Sequence, residues 1–174
     1  MTRFIVLAIA AVLATACSAP ATDPANEPAA TPSPASPSLA TLSPVVAPAL
    51  PLHPNETPEL RGKINFWADQ YGLPRSLVHR LAVRESTHRP WARNGPYWGL
   101  LQILPATARS MGFRGEPSEL LDADTNLEFA LKYLRGAWLL SDGDQGTAIQ
   151  WYARGYWHEA KRRGMLRETG LVTD

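Results

Sequence analysis

Glu85 is a carboxylate at a position where the sequence pattern predicts an apolar side chain. It follows Val78 by seven residues and Leu81 by four, so a helix places all three on one face. Burying an unpaired charge is costly, and such a carboxylate needs either a partner or a function. It is either one half of a structural ion pair, or a desolvated general acid whose pKa is raised from about 4.3 towards neutrality. The candidate ion-pair partners are Arg80, Arg84 and Arg89.

Polar groups lie near this acid in the sequence or in segments that could meet it. Ser86 follows Glu85 directly and offers a hydroxyl. Gln102 interrupts a short apolar run and is either a core amide that bonds to the backbone or a group that faces a cleft. Tyr152 and Arg154 add a phenol and a guanidinium near the end of a later helix. Together these side chains could bind and protonate a polar substrate.

Helices must position these residues, because apolar residues recur at helical spacing along the second half of the chain. No stretch alternates convincingly at period two, which leaves at most a small hairpin near residues 93–101. The sequence predicts an all-α or α-dominated α+β fold with a single domain. The predicted helices are one capped by Thr57 and ended by Gly72, one from Pro74, one from Pro105 to about Gly112, one capped by Asp124 or Thr125, and two at about 144–154 and 156–163.

Four short segments, in this order, resemble the soluble lytic transglycosylase domain, that is, the family 1 lytic transglycosylases of glycoside hydrolase family 23. The Glu-Ser pair alone has no weight as a motif, but its ordered combination with the other segments and the downstream Tyr152 is specific. The likeness runs from about residue 64 to residue 157. The segments are Glu85-Ser86, Gly99-Leu100-Leu101-Gln102-Ile103, Pro105-Ala106-Thr107-Ala108 and Asp124-Thr125-Asn126-Leu127.

This resemblance implies a lysozyme-like, mostly helical fold and a particular chemistry. The family cleaves the MurNAc–GlcNAc β-1,4 bond of peptidoglycan without consuming water and leaves a 1,6-anhydro-MurNAc end. By resemblance, Glu85 is the catalytic acid and then the base, and the substrate's own N-acetyl group stabilises the oxocarbenium-like state. Ser86, Gln102 and Tyr152 match positions that line the cleft and orient the sugar. No cofactor is expected.

The chain departs from the family pattern in its third motif. That motif is usually Ala-Tyr-Asn-Ala-Gly, and here it reads Trp-Tyr-Ala-Arg-Gly over residues 151–155. Ala153 replaces the asparagine, which leaves any role of that amide open. Arg154 is either a contact for a peptide-stem carboxylate or a plain surface arginine. Leu101 replaces the commoner methionine of the Gly-Leu-Met-Gln motif, and this near-isosteric exchange should cost little.

The distribution of acids favours a mechanism with a single carboxylate. No acidic residue lies between Glu85 and Glu116, whereas ordinary glycosidases use a pair of carboxylates. Two other functions remain open at this point. A hydrolytic muramidase would use Glu85 with an activated water and would need Asp122 or Asp124 at the cleft. A non-catalytic peptidoglycan-binding protein would keep the groove without needing an ionisable group at position 85.

Aromatic and imidazole side chains give weaker indications. Tyr97 and Trp98 lie in the irregular segment between Glu85 and Gln102, and they either stack on sugar faces or pack the loop. His79, His88 and His158 together show no metal-ligand spacing, so no metal site is predicted.

The N-terminal third of the chain predicts export and a spacer. Residues 1–16 have the basic start, apolar stretch and Ala-Thr-Ala end of a signal peptide, and ten apolar residues are too few for a spanning helix. Small residues before Cys17 resemble a lipoprotein box, which implies lipidation of Cys17 and anchoring to the outer membrane. Ordinary cleavage and soluble periplasmic or secreted export is the alternative. Residues 17–58, rich in Pro, Ala, Ser and Thr, are a predicted disordered tether, and residues 59–174 are the predicted domain.

The net charge of +1, from 17 basic and 16 acidic residues, averages over unlike segments. Between residues 75 and 114 seven arginines surround Glu85, the only acid in that range. This basic surface suits an anionic polymer such as peptidoglycan, and the predicted export argues against nucleic acid as the partner. A single cysteine excludes an internal disulfide. We expect a monomer.

Overall fold

The computed structural model describes residues 50–172. The chain divides into two units, residues 1–46 and residues 47–174, and all the described residues belong to the second. The predicted signal peptide, Cys17 and the tether up to residue 49 lie outside the described residues. Within residues 50–172, no helix combines the length and the apolarity that a membrane span requires.

Six α-helices and one short hairpin make up the regular structure of residues 50–172, together with a 3-10 helix at Pro117–Leu121. The α-dominated fold with a small hairpin is therefore confirmed, and its lysozyme-like character fits this architecture. The 3-10 helix was not predicted. The elements are α1 (Pro58–Gln70), α2 (Arg75–Ser86), β1 (Arg93–Asn94), β2 (Tyr97–Trp98), α3 (Pro105–Ser110), α4 (Ala123–Leu139), α5 (Gln145–Arg154) and α6 (Trp157–Arg163).

Side-chain caps fix where the helices begin. The Thr57 hydroxyl accepts a hydrogen bond from the backbone N–H of Leu60 at 3.1 Å and caps α1, as predicted. The cap of α4 was predicted two or three residues too late. Asp122, not Asp124 or Thr125, is the N-cap, because its carboxylate accepts from the Thr125 N–H at 2.9 Å.

Helix α4 runs through the core and packs against α1, α3, α5 and the 3-10 helix. Its residues Leu127, Leu131 and Leu134 have no exposed surface. Complete burial of a leucine side chain contributes about 1.5–3 kcal/mol relative to leaving it exposed. Helix α2 supplies Leu77 and Leu81 to the same core, so the helix that carries Glu85 is fixed along its whole apolar face.

The hairpin and the turn after it line one side of a cleft, and the C-terminal end of α2 lines another. Arg93 pairs with Trp98 and Asn94 with Tyr97, and Trp98 makes a further bridge to Ile103. Gly99 follows the hairpin with φ +76°, and a Cβ at this position would come within 2.1 Å of the Leu120 carbonyl oxygen. Only glycine fits there, which explains the first residue of the Gly-Leu-Leu-Gln segment.

The folded unit begins before the predicted end of the tether at residue 58. Pro58 is the first residue of α1, and Glu56 is only 6% exposed. The Arg61 side chain donates hydrogen bonds to the backbone carbonyls of Leu50 and Pro51 and to the Glu56 carboxylate. Residues 50–57 share the Pro-rich composition of the preceding segment, but one arginine of α1 holds them against the domain.

Candidate active site

A cleft of about 490 Å3 lies between the C-terminal end of α2, the turn after β2 and the end of α5. Within residues 50–172, Glu85 is the only acidic residue that lines it. Of the other predicted site residues, Gln102, Tyr152, Tyr97 and Arg154 line the cleft, whereas Ser86 and Trp98 do not. The remaining lining residues are Arg84, Asn94, Ile103, Leu104, Thr107, Tyr133, Ala153 and Gly155.

Glu85 lies in the last turn of α2, and its side chain is 20% exposed. Burial raises the pKa of this carboxyl above its ordinary value, and the Arg84 guanidinium opposes that shift more weakly. The closest approach of the pair is 3.5 Å, from Arg84 Nε to Glu85 Oε1, and Arg84 is half-exposed. Glu85 is therefore both desolvated and paired with Arg84, but desolvation has the larger effect on its pKa. A carboxyl with a raised pKa can hold a proton for transfer to a leaving group.

Ser86 lies behind the cleft and does not line it. Its side chain is buried at 2% exposure, and its hydroxyl donates to the Leu100 carbonyl oxygen at 2.7 Å. The same hydroxyl accepts from the backbone N–H of Arg89 at 3.1 Å. Ser86 thereby joins the end of α2 to the turn that carries Gln102.

Two further side chains bind the same turn at Leu101. The buried amide of Asn126 accepts from the Leu101 N–H at 2.9 Å and donates to the carbonyls of Trp98 and Leu120. The Tyr152 hydroxyl donates to the Leu101 carbonyl oxygen at 2.9 Å. Burial raises the pKa of Tyr152, and the charge of Glu85 adds to the shift, so this phenol remains protonated. Ser86, Asn126 and Tyr152 are far apart in the sequence, yet all three bind the backbone of Leu100 or Leu101.

Gln102 is placed in the cleft by this turn. Its amide nitrogen donates to the carbonyl oxygens of Gly99 at 2.8 Å and Ala92 at 3.1 Å. The residue has φ +47°, an unfavourable conformation for a side chain other than glycine. Such strain concentrates at functional sites, where the surrounding contacts impose it. The amide both bonds to the backbone and lines the cleft, so the two predicted roles of Gln102 are combined.

Of the predicted aromatic and cationic contacts, Tyr97 and Arg154 lie at the cleft and Trp98 does not. Tyr97 lines the cleft and is 43% exposed, so its ring is accessible to a ligand. Trp98 does not line the cleft, because the Arg93 guanidinium covers its ring at 4.0 Å and the tryptophan packs against the core. Arg154 stacks on Trp151 at 4.0 Å, which orients its guanidinium at the cleft rim.

Some lining residues were not singled out from the sequence. Tyr133 comes from α4 and meets the Tyr152 ring edge to face at 5.5 Å, and Thr107 comes from α3. Thr107 belongs to a segment of the resemblance, and that membership was its only signal. Tyr133 had no signal, because its spacing on α4 is that of a core residue. Asn94 lines the cleft from β1.

The two aspartates that a second catalytic carboxylate would require are engaged elsewhere. Asp122 caps α4, and Asp124 accepts hydrogen bonds from Lys63 and from the Trp67 indole, each at 2.8 Å. Neither residue lines the cleft. Among the described residues, the cleft therefore contains one carboxylate only.

The sequence spacing of His79, His88 and His158 predicts no metal site, but His79 and His88 take part in a group of possible metal ligands. These two residues meet His53 and Glu56, and one possible ligand atom from each of the four lies within 4.8 Å of the others. His53 and Glu56 fall within the segment that was assigned to the tether, so the sequence spacing hid the group. His158 takes no part in it.

A helical domain that holds one desolvated acid at the wall of an open cleft fits the lysozyme-like fold that the sequence resemblance implies. The chain belongs to the transglycosylase SLT domain family, whose match covers residues 62–167. Comparisons with curated proteins and with solved structures give no significant match. The family supports a lytic-transglycosylase-type action on peptidoglycan.

Proposed function

We propose that this protein is a lytic transglycosylase that cleaves the MurNAc–GlcNAc β-1,4 bond of peptidoglycan and forms 1,6-anhydro-MurNAc. The observation that carries the proposal is the isolation of Glu85, a carboxyl with a raised pKa and no second carboxylate beside it in the cleft. Membership of the SLT family supports the substrate class.

The proposed reaction needs one group that first donates and then accepts a proton. Protonated Glu85 gives its proton to the glycosidic oxygen while the C1–O bond breaks, and the GlcNAc unit leaves as an alcohol. The N-acetyl oxygen of MurNAc stabilises the positive charge that develops at C1. The Glu85 carboxylate then takes the proton of the C6 hydroxyl, whose oxygen bonds to C1. Glu85 ends protonated, no water is consumed, and the anhydro ring is closed.

The rest of the site supports this cycle by fixing geometry. Ser86, Asn126 and Tyr152 hold the turn at Leu100 and Leu101 with hydrogen bonds of 2.7–2.9 Å. We infer that this rigid turn keeps Gln102 in position to bind the acetamido group, because misplacement by about 1 Å can cost 100-fold in rate. Tyr97 offers an exposed ring for a sugar face, and Arg154 offers a charge for a stem-peptide carboxylate.

A hydrolytic muramidase is the competing reaction at the same acid. It would require a second carboxylate or a strongly positioned water. The two candidate aspartates have other partners. Asp122 accepts a hydrogen bond from the Thr125 N–H, and Asp124 accepts one from Lys63. The isolation of Glu85 therefore favours the substrate-assisted route.

Product analysis tests the proposal. Purified peptidoglycan is digested with the protein, and the released muropeptides are identified by mass spectrometry. We expect anhydro ends from the wild type, no release from Glu85→Gln, and normal release from Glu59→Gln. Glu59 is a fair control because the same substitution is made at a side chain that is 82% exposed. Reducing MurNAc ends would contradict the proposal, and equal release by the wild type and Glu85→Gln would exclude catalysis by this residue.

We further propose that the chain is exported to the periplasm and anchored to the outer membrane through lipidated Cys17. The support is the sequence alone: an apolar stretch ending in Ala-Thr-Ala before the only cysteine. Metabolic labelling with an alkyne fatty acid in the native host should label the wild type and leave Cys17→Ser unlabelled. An unlabelled wild type with its N-terminus at Cys17 would instead indicate ordinary cleavage.

A further inference from the structure

A group of three imidazoles and one carboxylate lies outside the catalytic cleft. His53 and Glu56 come from the segment before α1, His79 comes from α2, and His88 follows the end of α2. One possible ligand atom from each residue lies within 4.8 Å of the other three. None of these residues lines the cleft around Glu85. The proposed transglycosylase reaction therefore does not use this group.

Three of the four ligand atoms already have the spacing of a tetrahedral metal site. His79 Nδ1 lies 3.2 Å from His88 Nε2 and 3.3 Å from Glu56 Oε1, and His88 Nε2 lies 4.0 Å from Glu56 Oε1. Metal–ligand distances of about 2.1 Å in a tetrahedron place neighbouring ligand atoms roughly 3.4 Å apart. The three atoms thus form one face of a tetrahedron. His53 can supply the fourth ligand, because its ring is exposed and stacks against His88 with ring centroids 4.8 Å apart.

The protonation of His79 is set by its outer partner. His79 Nε2 lies 3.2 Å from the Asn65 side-chain oxygen, which can only accept a hydrogen bond. A hydrogen on Nε2 satisfies this contact and leaves a lone pair on Nδ1, which lies 3.2 Å from His88 Nε2 and 3.3 Å from Glu56 Oε1. Metal-ligating histidines commonly donate their second N–H to such an oxygen.

The other two buried members of the group are also prepared for a cation. Glu56 Oε2 accepts hydrogen bonds from the His53 N–H and from Arg61, and Oε1 accepts from the Arg61 Nε at 3.1 Å and also faces the imidazoles. Ligating carboxylates are commonly held in this way by outer hydrogen bonds. His88 is fully buried, and its Nε2 faces the same space, 3.2 Å from His79 Nδ1 and 4.0 Å from Glu56 Oε1.

The turn that carries His88 is strained. Thr87 and His88 both have positive φ, at +53° and +56°, which is strained for residues other than glycine. The strained turn is held by the Asn55 amide, which donates to the Thr87 carbonyl oxygen at 3.0 Å. A buried, strained histidine is retained where a ligand makes use of it.

We propose that His53, Glu56, His79 and His88 bind one divalent transition-metal ion of the zinc type. Three nitrogen ligands exclude calcium and magnesium, which prefer oxygen, and the near-tetrahedral spacing favours Zn2+. The ion enters from an open groove of about 990 Å3 that both His53 and His79 line. His53 and Glu56 precede residue 62, where the family match begins, so the site is an addition to the family domain.

The consequence is a clamp between the start of the domain and the helix that carries Glu85. The ion would join residues 53–56 to His79 within α2 and to His88 beyond its C-terminal end. His88 follows Glu85 by three residues. Metal binding would therefore tie the strained turn after Glu85 to α2 and to the segment before α1, and the stability of the folded protein would rise with the free ion concentration.

The test uses the full chain, stripped with a chelator and titrated with Zn2+ by isothermal calorimetry. We expect saturable binding of one Zn2+ per chain and a thermal midpoint that rises with Zn2+ concentration. Co2+ in place of Zn2+ should give the intense visible absorption of a tetrahedral ion. Absence of saturable Zn2+ binding, or a Co2+ spectrum of the hydrated octahedral ion, would overturn the proposal.

Variants assign the binding to this group. His53→Ala and His79→Ala should each weaken Zn2+ binding by roughly 100-fold or more, and Asn65→Leu, which removes only the outer partner, by roughly 10- to 100-fold. His53 is exposed, so its truncation leaves the core intact. His158→Ala is the matched control and should bind as the wild type does. Equal affinity of His53→Ala, His79→Ala and the wild type would contradict the assignment.

The site is independent of the proposed reaction, and one variant separates the two. Glu85→Gln should bind Zn2+ as tightly as the wild type even though it releases no muropeptides. A parallel loss of Zn2+ binding in Glu85→Gln would contradict the separation of the cluster from the cleft.

Discussion

Glu85 lies in helix α2 and Glu56 lies beside His79 of the same helix, and both side chains are largely shielded from water, yet their pKa values shift in opposite directions. The Glu56 side chain has no exposed surface, and that of Glu85 is 20% exposed. Burial by itself raises the pKa of Glu56. The opposing effects of Arg61, the His53 N–H and the imidazoles of His79 and His88 are together larger, and they lower the pKa to about 2. Burial raises the pKa of Glu85, and only the half-exposed Arg84 opposes it.

The comparison teaches that partners, and not the depth of burial, decide what a shielded carboxyl does. Glu56 is fixed as an anion and suits the role of a structural anchor or metal ligand. Glu85 retains access to its protonated form and suits the role of a proton donor. Substitutions at the two glutamates should therefore have effects of different kinds.

The largest expected effect is the loss of catalysis on replacement of Glu85. Glu85→Gln should lower the rate of muropeptide release by roughly 1,000-fold or more, because the amide can neither donate nor accept the transferred proton. The rate is measured by chromatography of soluble products from labelled peptidoglycan. A loss smaller than 10-fold would mean that Glu85 is not the acid.

The second effect is on stability, and its sign distinguishes the two glutamates. Glu56→Gln should lower the free energy of unfolding by about 2–3 kcal/mol, because it leaves Arg61 without a buried counter-charge. Glu85→Gln should raise it. Since folding raises the pKa of Glu85, the ionised carboxyl is a net cost above its ordinary pKa, and the amide removes that cost.

Urea denaturation at pH 7 in chelator-containing buffer measures both variants under metal-free conditions. Shifts of the same sign for Glu56→Gln and Glu85→Gln would break the distinction between the two sites.

A smaller effect is expected from the loss of one hydroxyl behind the cleft. Tyr152→Phe should lower the free energy of unfolding by about 1 kcal/mol, because the buried Leu101 carbonyl loses its donor. It should also lower kcat, since the turn that carries Gln102 is held less firmly. Tyr71→Phe is the control, because no described hydrogen bond involves the Tyr71 hydroxyl. Identical kinetics of Tyr152→Phe and the wild type would argue against the positioning role.

The smallest effect is a displacement of the pH profile. Arg84 lowers the pKa of Glu85, so Arg84→Gln should raise that pKa and move the basic limb of the activity profile to higher pH. The acid must be protonated to act, so activity falls as the pH rises through its pKa. Arg80→Gln, on the same helix but outside the cleft, should leave the limb in place. A shift to lower pH for Arg84→Gln would contradict the assignment.

The sequence predicted the six helices of residues 50–172 to within a few residues, from apolar faces and from the prolines and glycines that begin and end helices. Glu85 stood out because it interrupts such a face. Asp122 was missed as the cap of α4 because several polar residues precede that helix and spacing alone does not choose between them.

Other features depend on tertiary contacts that no local pattern carries. Ser86 and Trp98 were predicted at the cleft, but a backbone carbonyl takes the serine hydroxyl and Arg93 covers the indole. The imidazole group was invisible because two of its members, His53 and Glu56, lie in Pro-rich sequence. Only the contact of that segment with α2 brings them to His79 and His88.

The most direct test of the central claim is digestion of peptidoglycan in 18O-labelled water, followed by mass spectrometry of the released muropeptides. Closure of the anhydro ring by the C6 hydroxyl uses no solvent oxygen, so the account predicts products without 18O that are lighter than hydrolytic products by one water. Incorporation of one 18O at C1 of MurNAc would contradict it and would show that Glu85 activates water.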